Sequence, residues 1–301
     1  MPLLRDLSFP VLGKALSGDG LPLQIGPYVY RLHSNIPVVS KGLRTLYADF
    51  PLAQADQFID FEISLLQRGL VQRLTGGAEF LFDQQSPFDA MDAKQCYAFL
   101  EWGMNWCVSI HMNEYLKLHA AVVARNGAGV IMPGVPGAGK STLCAALSLR
   151  GWRVLSDEHA LIPPMTTELV PLYRPVSLKN ESIEAIRAFS PDAVFGPESS
   201  NTHKGTVVHL KADLAQDSHD DAPVPAKVMV FPQFSTEEPQ SLLQRPRTAS
   251  FVLAAYHSFN YSLMGVDGFH AMRHLIENVA CYDLVYSDLD WAVQAMESLL
   301  A

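Results

Sequence analysis

Gly134-Val135-Pro136-Gly137-Ala138-Gly139-Lys140-Ser141 fits G-x-x-x-x-G-K-[ST], the loop whose backbone N–H groups wrap the phosphates of a nucleotide. The flanks agree with that reading. Val130-Ile131-Met132 is a short apolar run that predicts the strand leading in. Thr142 to Arg150 predicts the helix leading out, closed by Gly151 at its C-terminal end. The glycines let the backbone curl around an anion, and the helix N-terminus aims its free N–H groups and dipole at it. Gly134, Pro136, Gly137, Ala138, Gly139, Lys140, Ser141 and Thr142 are therefore the candidate nucleotide contacts. Lys140 would reach the β- and γ-phosphates, and the Ser141 hydroxyl would sit on Mg2+. The expected ligands are ATP and Mg2+.

Working outward, Trp152-Arg153-Val154-Leu155-Ser156 predicts another buried strand, ending on the carboxylates Asp157-Glu158. Carboxylates at the C-terminal end of a core strand beside a phosphate loop are placed for Mg2+ and for activating a nucleophile. The bland alternative is a solvated pair at a strand end, although burying charges without a use is costly. His159 to Ile162 follows, then the breaker Pro163-Pro164. Upstream, Leu118-His119-Ala120-Ala121-Val122-Val123-Ala124 reads as a strand, and Asn126-Gly127 as a hairpin turn into the loop strand. Downstream, Arg174 and Lys179 are either phosphate or substrate contacts or strand-end surface charges. Ser190 to Gly205, carrying Lys204, reads as a loop: a lid over substrate, or surface slack. Asp213 to Pro225 is acidic and polar. Lys227 to Phe231 and Tyr282 to Tyr286 are expected strands, and Ser250–Tyr256, Phe269–Val279 and Leu289–Leu300 expected helices.

The N-terminal part reads as an α+β region without nameable chemistry. Residues 1–26 look like a loose arm because they mix Gly and Pro with little periodicity. Tyr28–His33 and the alternating Ile59–Leu65 read as strands, and Val38–Ala48 as a helix. Val71–Leu74 and Glu79–Phe82 read as a strand pair joined through Gly76-Gly77. Asp92 to about Tyr115 reads as one long helix. The expected division is 1–117 for this region and 118–301 for an α/β nucleotide-binding and catalytic domain.

Composition limits the partners. With 49% hydrophobic and 18% charged residues, the 301-residue chain has the make-up of a folded protein. A net charge of −9 with no basic stripe argues against nucleic acid. Cys96, Cys107, Cys144 and Cys281 show no C-x-x-C spacing and read as buried reduced thiols. Neither a signal peptide nor a membrane-spanning run is visible, so a soluble, cytoplasmic protein is expected.

With His119 before the loop and Asp157-Glu158 after it, residues 118–162 resemble HPr kinase/phosphorylase, which carries a strand-borne His, the G-x-x-x-x-G-K-S loop and a following R-G-H-x-L-V-A-D-D run. A similarity over nearly the whole chain is to the proteins called HprK-related kinase A. It includes Trp102 to Cys107, Arg174 to Asn180, Phe259-Asn260-Tyr261 and Cys281 to Leu284. The resemblance implies a P-loop nucleotide domain of the HPr kinase and phosphoenolpyruvate carboxykinase-like type, with the loop set in a mixed sheet. It implies that Asp157 takes the proton from an acceptor hydroxyl and that Lys140 neutralises the transferring phosphoryl. It further implies that Ser141, Asp157 and Glu158 hold Mg2+, and that His119 keeps the base ionised. His119 could also be a core histidine satisfied by a backbone carbonyl. HPr kinase relatives form rings, so the resemblance allows a homo-oligomer. The family's E-[IV]-R-G-x-G signature is missing, and Glu158 stands where the family has a second Asp.

The function expected from these residues is an ATP-dependent kinase acting on a hydroxyl, of a peptide or protein Ser or of a small metabolite. The alternative is an ATP-binding regulatory or scaffold protein that transfers nothing; a pure sensor needs no base.

Overall fold

The structure is a computed structural model that describes residues 1–54, 56–212 and 222–300. The chain divides into two compact units. The first is Met1–Val108 with Ser177–Glu184 and Asp192–Lys211; the second is Ser109–Val176 with Ala185–Pro191 and Ala212–Ala301. The sequence reading put the change of unit after residue 117. The units divide instead at Val108 and Ser109, with two later segments assigned to the first. The whole is mixed α/β, with three sheets among the described residues.

The chain opens with a 3-10 turn and helix α1 (Phe9–Ser17), then strands β1 (Leu21–Ile25) and β2 (Tyr28–Ser34). The expected loose arm is therefore ordered structure. Pro10 lies in the first turn of α1, where a missing N–H costs nothing, and Leu12 and Leu16 bury one face. Pro22 lies in β1, the edge of its sheet, where a missing donor is tolerated. Helix α2 (Pro37–Leu46) and strand β3 (Phe61–Leu66) follow, close to their expected positions.

Next come α3 (Gly69–Thr75), β4 (Gly77–Phe82) and the short β5 (Met91–Asp92). Val71–Leu74, expected as a strand, is helical: Gly76, at φ 79°, closes that helix rather than turning a hairpin. The first sheet runs β1-β2-β3-β4-β5 and is antiparallel except between β2 and β3. Helix α4 (Cys96–His111) is shorter than expected; Asp92 caps the 3-10 turn before it by accepting from Lys94 N at 2.8 Å.

The second unit is built on a mixed sheet. β6 (Leu116–Arg125) and β7 (Ala128–Pro133) form the expected hairpin, with Asn126 and Gly127 both at positive φ. Helix α5 (Lys140–Ser148) follows, then β8 (Arg153–Ser156), β9 (His159–Ile162) and β10 (Glu168–Leu169). Strands β11 (Val176–Lys179), β12 (Ser199–Thr202) and β13 (Gly205–Leu210) make the small sheet β11-β13-β12, which belongs almost wholly to the first unit, so the stretch 190–205 read as loop contains a strand. Helix α6 (Glu181–Phe189) separates β11 from β12. Of the acidic segment Asp213 to Pro225, residues 213–221 lie outside the described residues. The chain ends with β14 (Val224–Phe234), β15 (Ser241–Gln244), α7 (Arg247–Tyr256), α8 (Gly265–Asn278), β16 (Ala280–Tyr286) and α9 (Leu289–Ser298).

The large sheet runs β15-β16-β14-β7-β6-β8, with β10 on β14 and β9 on β6. β14 is parallel to both β7 and β16, and the other pairings are antiparallel. Helix α5 packs against β6, β8 and α9 and buries Lys140 and every residue from Leu143 to Ser148. A helix apolar on nearly every side belongs inside a core. That burial fixes the start of α5 against the sheet.

Candidate functional site

The phosphate-loop sequence leaves β7 at Pro133 and enters α5 at Lys140. Gly137 and Gly139 both hold φ 89°, the left-handed region that side chains resist. At Gly139 the demand is also steric: a Cβ there would stand 2.2 Å from the Tyr286 hydroxyl and 3.1 Å from Phe234 Cβ. Phe234 ends β14 and Tyr286 ends β16, so the loop is braced by the two strands parallel to its own. Phe234 N donates to Ala138 O at 3.1 Å, and the Tyr286 hydroxyl donates to Gly139 O at 2.9 Å. Burial pushes the Tyr286 phenol up, so it stays a neutral donor. Lys140 is buried, its ammonium donating to Gly134 O at 2.6 Å and Val135 O at 3.2 Å.

Strands β8 and β9 pair in turn along β6, and Asp157-Glu158 is the step between them. Ser156 makes that step: its hydroxyl accepts from His159 N at 3.0 Å and Glu158 N at 3.4 Å. The two carboxylates end in different settings. Asp157 is 4% exposed. Burial, with the Asp157 charge second, pushes the Cys144 thiol on α5 well up, which puts Asp157 within electrostatic reach of the helix that begins with Lys140. Glu158 is more open, and its Oε2 lies 3.0 Å from His119 Nε2. His119 is thus a carboxylate partner and not a core histidine satisfied by a carbonyl.

A strap from the far end of the chain completes the site. His119 N donates to His257 O at 2.7 Å, Phe259 N to Lys117 O at 2.9 Å, and the Ser258 hydroxyl to Lys117 O at 2.8 Å. Asn260 clamps both sides: its Oδ1 accepts from Lys117 N at 2.9 Å, and its Nδ2 donates to Tyr115 O at 2.7 Å. These bonds set the Phe259 ring on His159, with centroids 4.9 Å apart and near-parallel planes, and 5.6 Å from His119. The buried His257 imidazole is held below its usual range by burial, then by the positive charges of Lys140 and His119.

Two further buried groups, His159 and Lys117, meet at Ser109. His159 is fully buried, with Nε2 2.7 Å from Ser109 Oγ. Burial pushes it down to about 3; Glu158 opposes this, while Arg174, His119 and Lys117 reinforce it. Lys117 is also buried, donating to Ser109 O at 2.7 Å, and burial pushes it down to about 8 against the pull of Glu114.

The structure thus pairs His119 with Glu158 directly, lets Lys140 and His119 both act on the buried His257, and lets Asp157 act on Cys144 of α5, with Ser141 and Thr142 in the first turn of that helix. Arg174 is buried and acts on His159, so it belongs to the same region. Lys179 and Lys204 belong to the first unit. There the Lys204 ammonium lies 4.9 Å from the Trp102 ring, and both lysines act on His203. Sequence reading missed Lys117, His159 and His257 as site groups. His159 had a signal, its position directly after the carboxylates; His257 had none. Among the described residues no three His, Cys, Asp or Glu side chains form a metal-holding group.

One family model matches, that of SynChlorMet cassette protein ScmC, over residues 97–169. It covers about a quarter of the chain and runs from α4 through the loop and the carboxylates to β10. No curated protein matches the chain. The matching family corrects the expected resemblance: the chain is not shown to be an HPr kinase relative, and no model of that family matches. The segment that carried the resemblance, 118–162, lies inside the ScmC match. A His, a phosphate loop and a carboxylate pair on consecutive elements were too short a pattern to specify one family.

Proposed function

We propose that the second unit is a P-loop nucleotide domain and that the protein is an ATP-dependent kinase acting on a hydroxyl, of a peptide or protein Ser or of a small metabolite. The observation that carries this reading is the loop itself. Two left-handed glycines, a buried lysine folded along the loop carbonyls, and the N-terminus of a core helix converge on one point. Such a turn presents N–H groups to phosphate oxygens, and Lys140 can exchange its carbonyl partners for the transferring phosphoryl group.

In the reaction the acceptor oxygen forms a bond to the γ-phosphorus while the bond to the bridging oxygen of ADP breaks. The acceptor proton passes to a carboxylate. Asp157 is assigned as that base, because it is buried at the step between β8 and β9 and its charge is felt by Cys144 on the helix that Lys140 opens. Glu158, tied to His119 and more exposed, is the neighbouring group that can relay the proton outward. Hydroxyl and carboxylate oxygens are the donor class that Mg2+ prefers, so Ser141, Asp157 and Glu158 fit it as ligands. When bound, Mg2+ would neutralise charge on the phosphates.

The test is transfer of label from γ-labelled ATP to acceptors in a host lysate, with the labelled species identified by mass. Asp157→Asn should lower transfer by about a thousandfold or more while leaving ATP binding within a fewfold. Glu158→Gln should cost about tenfold to a hundredfold. Wild-type transfer by Asp157→Asn would remove Asp157 from the mechanism. Tight ATP binding with no labelled acceptor would favour a regulatory nucleotide-binding protein.

A further inference from the structure

We infer that the His257 side chain is a contact for the terminal phosphoryl group of the nucleotide, and that it lets the site tell a triphosphate from a diphosphate. This inference rests on the nucleotide reading above and adds to it a residue from the far end of the chain.

The strap takes over a place in the sheet. β7 pairs with β6 as far as Pro133, opposite Ala120, and there the chain turns away into the phosphate loop. Directly beyond that point on β6, His119 N donates to His257 O, and Leu118 pairs antiparallel with Ser258. Ala120 N donates to Glu158 O at 3.3 Å, on the β8 edge of β6. Successive N–H groups of a strand face alternate edges, so His119 N and the strap lie on the other edge, the one β7 has just left. His257 therefore stands opposite His119, in the position Gly134 would hold if β7 ran on.

That register decides which way the ring faces. Residues directly opposite on antiparallel strands carry their side chains on one face, so the imidazoles of His257 and His119 share a face. His119 in turn reaches Glu158 at 3.0 Å. The Lys140 ammonium, folded back on Gly134 O at 2.6 Å, is held at the residue where β7 becomes the loop. Its charge is felt by His257, second only to burial. The ring thus lies between the loop lysine and the pair assigned to the acceptor side.

The ring lacks a partner of its own. His257 is 7% exposed, yet among the described residues its imidazole makes no hydrogen bond. Polar atoms both unpartnered and sealed from solvent include His159 Nδ1 and Trp152 Nε1, but neither nitrogen of His257. The side chain is enclosed while its nitrogens stay open to solvent. Buried polar groups are ordinarily paired, and one left open beside a phosphate loop is free to pair with a ligand oxygen. Burial, then Lys140 and His119, hold the imidazole below its usual range, so it offers one neutral N–H. In the transfer the acceptor oxygen bonds to the γ-phosphorus, the bond to the bridging oxygen of ADP breaks, and the acceptor proton goes to the carboxylate. His257 keeps its own proton and contributes a hydrogen bond to a γ-oxygen.

The experiment is calorimetric binding to the full chain, with Mg2+, of ADP and of the non-hydrolysable β,γ-imido analogue of ATP. His257→Phe keeps a ring and removes the donor, His257→Ala removes both, and His257→Gln keeps a donor. Circular dichroism checks each fold. The expected result is that His257→Phe and His257→Ala bind the imido analogue about tenfold or more weakly while ADP stays within about twofold, and that His257→Gln regains most of the loss. Equal weakening of both nucleotides makes His257 a structural support of the loop and overturns the inference. Unchanged binding of the analogue also overturns it, and in both cases the nucleotide reading stands. Binding of neither nucleotide by the unaltered protein overturns that reading and this inference together.

Discussion

The buried imidazole of His159 supplies a test that needs no ligand. His159 is 1% exposed and is pushed down to about 3 by burial, so it stays neutral in the folded protein far below the pH at which an exposed histidine charges. The folded value is below the unfolded one, so the unfolded chain binds more protons between the two. Stability therefore falls as pH drops through that window. With an unfolded value of 6.5, the loss attributable to His159 is about 0.2 kcal/mol at pH 7 and about 2 kcal/mol at pH 5. His159→Gln keeps a polar group for Ser109 Oγ but cannot take up a proton. Whatever its own stability, the variant should lose about 2 kcal/mol less than wild type on going from about pH 7 to about pH 5. Amide hydrogen exchange of peptides from β6 and α5, read by mass and corrected for intrinsic rates, gives the opening free energy of the second unit at each pH. Equal losses in both proteins would show that His159 charges in the folded state and that its burial is misjudged.

Three further perturbations probe the loop and the strap. Gly137→Ala and Gly139→Ala impose the same left-handed strain, but only the second meets a neighbour. Thermal unfolding should show a cost of about 1 kcal/mol for the first and about 2–3 kcal/mol or more for the second, with ATP affinity falling further in the second. Lys117 is pushed down to about 8 from 10.5, so the folded state releases its proton first and stability should rise with pH through that interval. The rise is about 2 kcal/mol between about pH 8 and about pH 10, and Lys117→Met should lack it in urea titrations. Asn260→Ala removes both clamp bonds and leaves Lys117 N and Tyr115 O without that partner. It should cost about 2–3 kcal/mol in unfolding experiments and lower phosphotransfer more than ATP binding; an unchanged kcat would detach the strap from catalysis.

Much of the second unit was legible because its signals are local. Asn126-Gly127 needs positive φ at two successive positions, and the hairpin follows. The apolar run before Gly134 and the small residues after Ser141 define strand and helix with little help from the rest of the chain. The errors came where Gly and Pro have two meanings. Gly76 closes a helix with the same left-handed φ that a hairpin turn would use, so Val71–Leu74 was read with the wrong period. Pro10 and Pro22 read as breakers, yet one lies in the first turn of a helix and the other in an edge strand, the places where a missing N–H is harmless.

The site divides along the same line. Lys140, Asp157 and Glu158 were legible because each stands at a fixed offset from the loop, and His119 because it precedes the loop on the paired strand. The strap had no such offset. His257 approaches His119 only because Asn260 bonds to Lys117 and Tyr115, a pairing across more than a hundred residues that no local pattern encodes. The charge environment was equally hidden. A sequence gives every lysine and histidine its ordinary value, whereas burial here holds Lys117 and His159 well below theirs. Those two meet at Ser109, and Glu158 and His119 both act on His159. With His159 neutral, Glu158 has His119 as its close histidine partner. In the proposed reaction the acceptor's proton is kept out of the core, because protonating His159 would cost several kcal/mol. The buried pair thus gives the proposed proton path its direction, outward along the more exposed carboxylate, and that direction follows from the interior of the fold.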